Sequence, residues 1–189
     1  MTSPTASPTT APSAARERIL QTAHDLFYSG GIRATGIDKV IAEAGVTKVT
    51  FYRHFPSKND LIEAFLEYRH ARWMTWFDDA IERRRDEGAR AVVGALREWF
   101  VQPTFRGCAF INTVVEFGAS APEFEAISRR HKDEMTASLR TLLPPGEHGD
   151  ADATAIALAI DGAIIRAQFT HDAEATLAPL ERLIDALVR

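Results

Sequence analysis

The chain has 189 residues, a net charge of -4 and a single cysteine. That length supports one sizeable core, or a small domain sharing its core with a larger one; the acidic balance argues against a general polyanion binder, and one cysteine excludes an intramolecular disulfide. No run approaches the 18 or so apolar residues of a membrane span and no basic and apolar secretory leader opens the sequence, so a soluble cytoplasmic protein with no membrane partner is expected.

Residues 1–13 carry no charge and, after Met1, nothing apolar large enough to pack, so they are predicted to be a disordered tail. The first basic residue is Arg16, and no minor-groove arm is assigned to the tail. Ile19, Leu20, Ala23, Leu26 and Phe27 recur at helical spacing until Ser29-Gly30-Gly31 stops them, which predicts a first helix over 13–28. Thr35 and Asp38 have the spacing of a capping box, followed by Ile37, Val40, Ile41 and Ala44 on one face of a second, scaffold helix.

The next stretch is the most informative. Gly45 suits a left-handed helix end and Thr47 suits an N-cap, so two helices are joined by a turn of about 3–4 residues, the spacing of a helix-turn-helix. Val46 and Phe51 fall at the two positions of a hydrophobic staple, with Phe55 one turn further along the same buried stripe. Lys48, Thr50, Tyr52, Arg53 and His54 are left for other surfaces; Tyr52 points off the stripe, a core aromatic being the alternative. Pro56 follows Phe55 and ends the helix, and Ser57 with Asp60 caps a new one. No Asp or Glu occurs from Ala44 to Asn59, and Lys39, Lys48 and Lys58, three of the four lysines, lie in or beside the motif. A solvated charged face is the plainer reading of a short basic segment; turn, staple and caps together favour a helix that reads DNA. Residues 14–58 are thus predicted to form a three-helix domain.

A long helix after Ser57 carries Leu61, Ile62, Phe65, Leu66, Trp73, Trp76, Phe77 and Ile81, and at 1.5 Å per residue it runs about 40 Å, joining this unit to the rest. Gly88 breaks the pattern, 91–101 forms a further helix, Phe105-Arg106-Gly107 makes a bend, and the apolar run 108–117 follows. Cys108 in that run reads as a packed core thiol, with a redox thiol as the alternative. Pro122 starts a helix through Phe124, Ile127, Met135, Leu139 and Leu142 that Pro144-Pro145-Gly146 ends. From 151 to 169 the sequence is apolar on nearly every side, which predicts a helix buried all round. Leu180, Leu183, Ile184, Leu187 and Val188 make a last stripe. The fold expected is all-α, about nine helices, with 59–189 as a second domain. The helices at 151–170 and 176–188 are suited to pair with a second copy as a four-helix bundle, Ala159, Gly162 and Ala163 permitting close approach; ordinary intrachain packing is the alternative.

The run from Thr35 to Lys58 resembles the helix-turn-helix signature of the TetR family of bacterial transcriptional regulators. Residues 105–112 and 161–167 are also similar to one branch of it. The resemblance implies a homodimeric regulator, most often a repressor, that binds a near-palindromic operator in double-stranded DNA and is released by a small-molecule effector in the second domain. Carried onto this sequence, it implies base and nearby phosphate contacts for Lys48, Val49 and Thr50, backbone contacts for Tyr52, His54 and Lys58, and a phosphate-touching cap at Thr35, with Arg53 a further DNA-binding candidate. Val49 departs from the Gly, Ala or Pro of many members; it can pack on a thymine methyl but forms no hydrogen bond to a base.

For the effector, Trp73, Trp76, Phe77, Phe110 and Phe117 supply aromatic surface, with Trp99 and Phe100 beside them, although aromatics at helical spacing also build cores. Asn112 and Glu116, one turn apart on an apolar helix, are the better polar candidates, followed by Arg166 and Gln168; Arg166 pairing with Asp161 or Glu116 is the plain alternative. Six scattered histidines without ligand spacing, no glycine-rich phosphate loop and no base near Cys108 in sequence predict no metal, no cofactor and no enzyme. A helical module binding only protein is the remaining alternative, and it leaves the acid-free helix unexplained.

Overall fold

A computed structural model describes residues 13–188. Among them the regular structure is helical throughout: α1 (Ala14–Gly30), α2 (Ile37–Ala44), α3 (Lys48–His54), α4 (Lys58–Glu82), α5 (Ala91–Phe100), α6 (Ala109–Phe117), α7 (Pro122–Arg140), α8 (Gly149–Thr170) and α9 (Ala173–Leu187), with 3-10 turns at Arg85–Arg90 and Gly118–Ser120. The all-α expectation and the number of helices both hold. The tail predicted over 1–13 lies outside the described residues except for Ser13, which is not a tail residue: its hydroxyl accepts the Arg16 N–H at 3.2 Å and caps α1.

The first three helices pack around α1, which buries Ile19, Ala23 and Phe27 and meets α2, α3 and α4. The Ser57 hydroxyl accepts the Asp60 N–H at 3.2 Å and starts α4, whose 25 residues span about 37 Å. Its first turns carry Phe65 edge-on to Phe27 of α1 at 5.5 Å, and its later turns carry Trp73 against Trp99 of α5 and His131 of α7. One helix therefore touches both ends of the molecule. Gly88, at φ 57°, makes the break that the sequence anticipated inside the 3-10 turn.

The C-terminal pair departs from expectation. α8 is not buried all round: Ala153, Ile156, Ala157, Ile160, Ala163, Ile164 and Ala167 face inward, among neighbours that include α7 and α9, while Leu158 and Phe169 are 69% and 63% exposed and Ile165 is exposed beside them. α8 is also long and apolar enough to cross a membrane by length and composition, with mean hydropathy 1.2 over its 18-residue window, which the sequence reading did not expect. The helix has two apolar faces, one packed inside the chain and one exposed. Likewise α9 turns Leu180 and Ile184 inward but leaves Leu183 exposed. The Arg90 guanidinium grips Asp185 with two bonds of 2.6 Å and Arg97 grips Glu174, holding α9 to α5 and the turn before it.

Candidate nucleic-acid interface and interior clefts

The turn between α2 and α3 is built from main chain. Gly45 adopts φ 63°, ψ 40°; its N–H donates to Ala42 O and that of Val46 to Ile41 O, both at 3.2 Å, so the orphan carbonyls of α2 are satisfied as in a Schellman ending. Thr47 then caps α3 by accepting the Thr50 N–H at 3.1 Å. Phe51 and Phe55 are fully buried, and Val46 packs against the same core. With that stripe fixed, Lys48, Val49, Tyr52 and Arg53 are exposed, Val49 at 70% and Tyr52 at 47%. Tyr52 is thus not a core aromatic. The Thr50 hydroxyl is 3.0 Å from that of Thr47, so it braces the cap and only partly faces out.

Four residues expected at the surface are otherwise engaged. Thr35 is not the cap of α2: Gly36 holds that position with no side-chain bond, and Thr35, 4% exposed, donates its hydroxyl to Gly31 O at 2.8 Å. Inward burial removes it from the DNA-facing set. Lys58 also turns inward, its ammonium donating to Ile32 O at 2.6 Å and lying 5.9 Å from the Phe27 ring centroid; burial lowers its pKa. His54 shares a hydrogen bond of 3.2 Å with Ser13, tying the end of α3 to the start of α1. Asp38, read as half of a capping box, is exposed and pairs with Lys48 at 2.9 Å, which raises the lysine pKa.

The effector candidates divide sharply. Trp73 and Trp76 line a cleft of about 380 Å³ with Tyr28, Arg69, Arg72, Glu98, Trp99, Gln102 and Thr104. Phe77 and Phe110 do not line it: both are fully buried, Phe77 stacked on Trp73 and Phe110 on His131 at 3.7 Å. Phe117 lies edge-on to Phe124 and under the Arg33 guanidinium. Asn112 and Glu116 border a smaller space of about 210 Å³, yet their polar atoms serve the backbone. Asn112 and Gln168 both donate to Arg106 O, at 3.1 and 2.9 Å, and pin the bend before α6. The Glu116 carboxylate accepts the N–H groups of Ile32 and Arg33 at 3.2 and 2.7 Å and so clips α6 to the loop between α1 and α2. Arg166 pairs with neither expected partner: Asp161 bonds Lys132 at 2.5 Å, and Arg166 lies exposed over Phe169. Cys108 is buried, as a packed core thiol should be.

The family model for bacterial regulatory proteins of the tetR family matches residues 19–65. A TetR-family transcriptional regulator from Streptomyces coelicolor superposes with a TM-score of 0.84 and 32% identity, covering 95% of this chain and 90% of that one. The chain belongs to the TetR family. This TetR-family protein is also similar to the HTH-type transcriptional regulator YerO of Bacillus subtilis, 42% identical over 53 residues, though the match spans only 28% of this chain and 18% of that protein. The regulator CifR, solved with 26 bp double-strand operator DNA, shares the fold at 21% identity and a TM-score of 0.77, covering 93% and 99% of the two chains. The matched family segment contains α2, the turn and α3 whole, so the helix-turn-helix of this TetR-family regulator lies within the part that the family model describes.

Sequence reasoning missed Arg69, Arg72 and Tyr28 as cleft residues of this TetR-family protein. Arg69 and Arg72 sit one turn apart on α4 beside Trp73 and Trp76, a basic and aromatic pairing that was visible in the sequence. Tyr28 comes from α1, and its placement depends on a contact 79 residues away: its hydroxyl donates to Gly107 O at 2.9 Å and accepts the Arg106 N–H at 3.1 Å.

Proposed function

We propose that this regulator is a cytoplasmic homodimeric repressor that grips a near-palindromic operator through α3 and is released when a small molecule occupies the helical domain beyond residue 58. The observation that carries the reading is the exposed face of Lys48, Val49, Tyr52 and Arg53 on a helix that has no acid of its own and is capped and stapled at its N-terminus. Its basic groups offer charge to phosphates, Thr50 and Val49 offer a partly turned hydroxyl and two methyls to base edges, and His54 adds a backbone contact beside its bond to Ser13. The operator complex of CifR supports double-stranded DNA as the partner. Two such helices about 34–36 Å apart would read half-sites one helical turn apart. The exposed apolar face of α8 and α9 supports the pairing.

Footprinting on the intergenic DNA around its own gene, followed by anisotropy titrations at fixed moderate salt, tests this. Lys48→Ala is expected to weaken operator binding about tenfold and to reduce the salt slope by about one ion, and Tyr52→Phe to weaken binding less. Wild-type affinity in both variants would sink the reading.

A further inference from the structure

We propose that the cleft walled by Trp73, Trp76 and Trp99 is a site for a flat aromatic anion, its ring on the indoles and its carboxylate or equivalent acid group at Arg69 and Arg72. The inference rests on the effector reading above for its consequence on DNA, and on the cleft's own chemistry for the binding.

Three indoles face the same space, with ring centroids 5.6–6.2 Å apart, and Trp73 and Trp99 are more than nine-tenths buried. Such walls favour a planar apolar body. The indole N–H of Trp73, a lining residue of the cleft, is buried and has no hydrogen-bond partner among the described residues; an acceptor reaches it if the indole shifts.

The charge at the rim selects the ligand's sign. Arg69 and Arg72 form no ion pair with a carboxylate among the described residues: Arg72 donates to the Tyr68 hydroxyl at 2.6 Å, and Arg69 lies 4.0 Å from the Tyr28 ring centroid and 3.4 Å from the His24 ring nitrogen. The one acid lining the cleft, Glu98, is already held by Arg83 and Arg84. Asp25, the acid near His24, is bound to that imidazole at 2.9 Å. Two guanidinium groups thus remain available for an anion at the edge of an aromatic slot, where charge-assisted and bidentate bonds are strongest. A cation would meet like charge, and a neutral ring would leave both arginines unmatched.

The site also spans the parts of the molecule that must communicate. Tyr28 belongs to α1, Arg69 and Arg72 to α4, and Trp99 to α5. Drawing the Arg69 guanidinium from the Tyr28 ring to a bound acid alters a contact made by the same tyrosine whose hydroxyl is fastened to the 106–107 bend.

The chain contains three tryptophans, and all three line this cleft, so intrinsic fluorescence reports on it directly. The full-length protein is titrated with trans-cinnamate and benzoate and with the neutral amides of each, by fluorescence and calorimetry. The acids are expected to bind at least about tenfold tighter than their amides. Arg72→Gln, an exposed position, should remove that preference with an unchanged melting temperature, and Trp76→Leu should weaken acid and amide alike. Amides binding as tightly as acids, no binding of either acid at millimolar concentration, or an undiminished acid preference in both Arg69→Gln and Arg72→Gln would overturn the proposal. Acid binding that leaves operator affinity unchanged supports the anion site and counts against the effector reading alone.

Discussion

Lys48 is the exposed cation of α3 that carries a counter-ion of its own, Asp38, from the preceding helix. A phosphate approaching Lys48 competes with that carboxylate and is itself repelled by it. Asp38→Asn is therefore expected to tighten operator binding about two- to fivefold near 0.1 M salt, an effect of the size of an exposed pair, and to do less as salt rises. Anisotropy titrations check this; unchanged or weaker binding would show that Asp38 makes a contact worth keeping. The residues legible in the sequence were those whose partners are local. Thr47, Ser57 and Gly45 act on atoms within four or five residues, so spacing alone located them. Lys58 could not be read that way, because its acceptor lies 26 residues back, and nothing in a basic motif distinguishes an inward lysine from an outward one. Thr35 misled for a related reason: a threonine near a helix start suits a cap, but this hydroxyl reaches back into its own loop instead.

Between helices, the outcome depended on loops. Asn112, Glu116 and Gln168 read in sequence as polar groups for an effector, yet a half-buried polar atom is satisfied by whatever unpaired main chain lies beside it, and the loops at 31–33 and 105–107 supply it. Pattern tells which way a side chain faces and not which loop comes to meet it. α7 offers a second case in His131, wedged among Phe110 of α6 and His70 and Trp73 of α4. Burial, reinforced by the charge of Lys132, pushes its imidazole down to about 2, far below the ordinary 6.5. The unfolded chain therefore takes up this proton first, so the contribution to stability is fully present above about pH 6.5 and is lost progressively as pH falls toward 2. Between pH 7 and pH 5 this one group should cost about 2 kcal/mol. Urea unfolding at the two pH values is expected to show that loss in the wild type and its absence in His131→Asn; equal pH dependence in both would refute the assignment.

At the scale of the whole molecule, α8 carries two apolar faces, and sequence cannot divide them, since a side chain packed inside the protomer and one packed on a second copy show the same periodicity. The structure shows which face is left outward: Leu158, Gly162, Ile165 and Phe169 recur at intervals of four, three and four on the exposed side, the face we propose for the second copy. Ile165→Lys is expected to give a monomer at micromolar concentration in sedimentation, with helical content retained and operator affinity lost; a persistent dimer would move the interface elsewhere.

The distribution of charge finally bears on how a few copies find one site in a chromosome. A net charge of -4 with a basic, acid-free stretch from Ala44 to Asn59 sets an overall repulsion from a duplex against local attraction at one edge. Attachment to arbitrary sequence is then weak and brief, so a molecule leaves a wrong site quickly. Against the 10⁶ to 10⁹ competing sites of a genome, roughly, that restraint raises the share of molecules resting on the operator as surely as a stronger grip would.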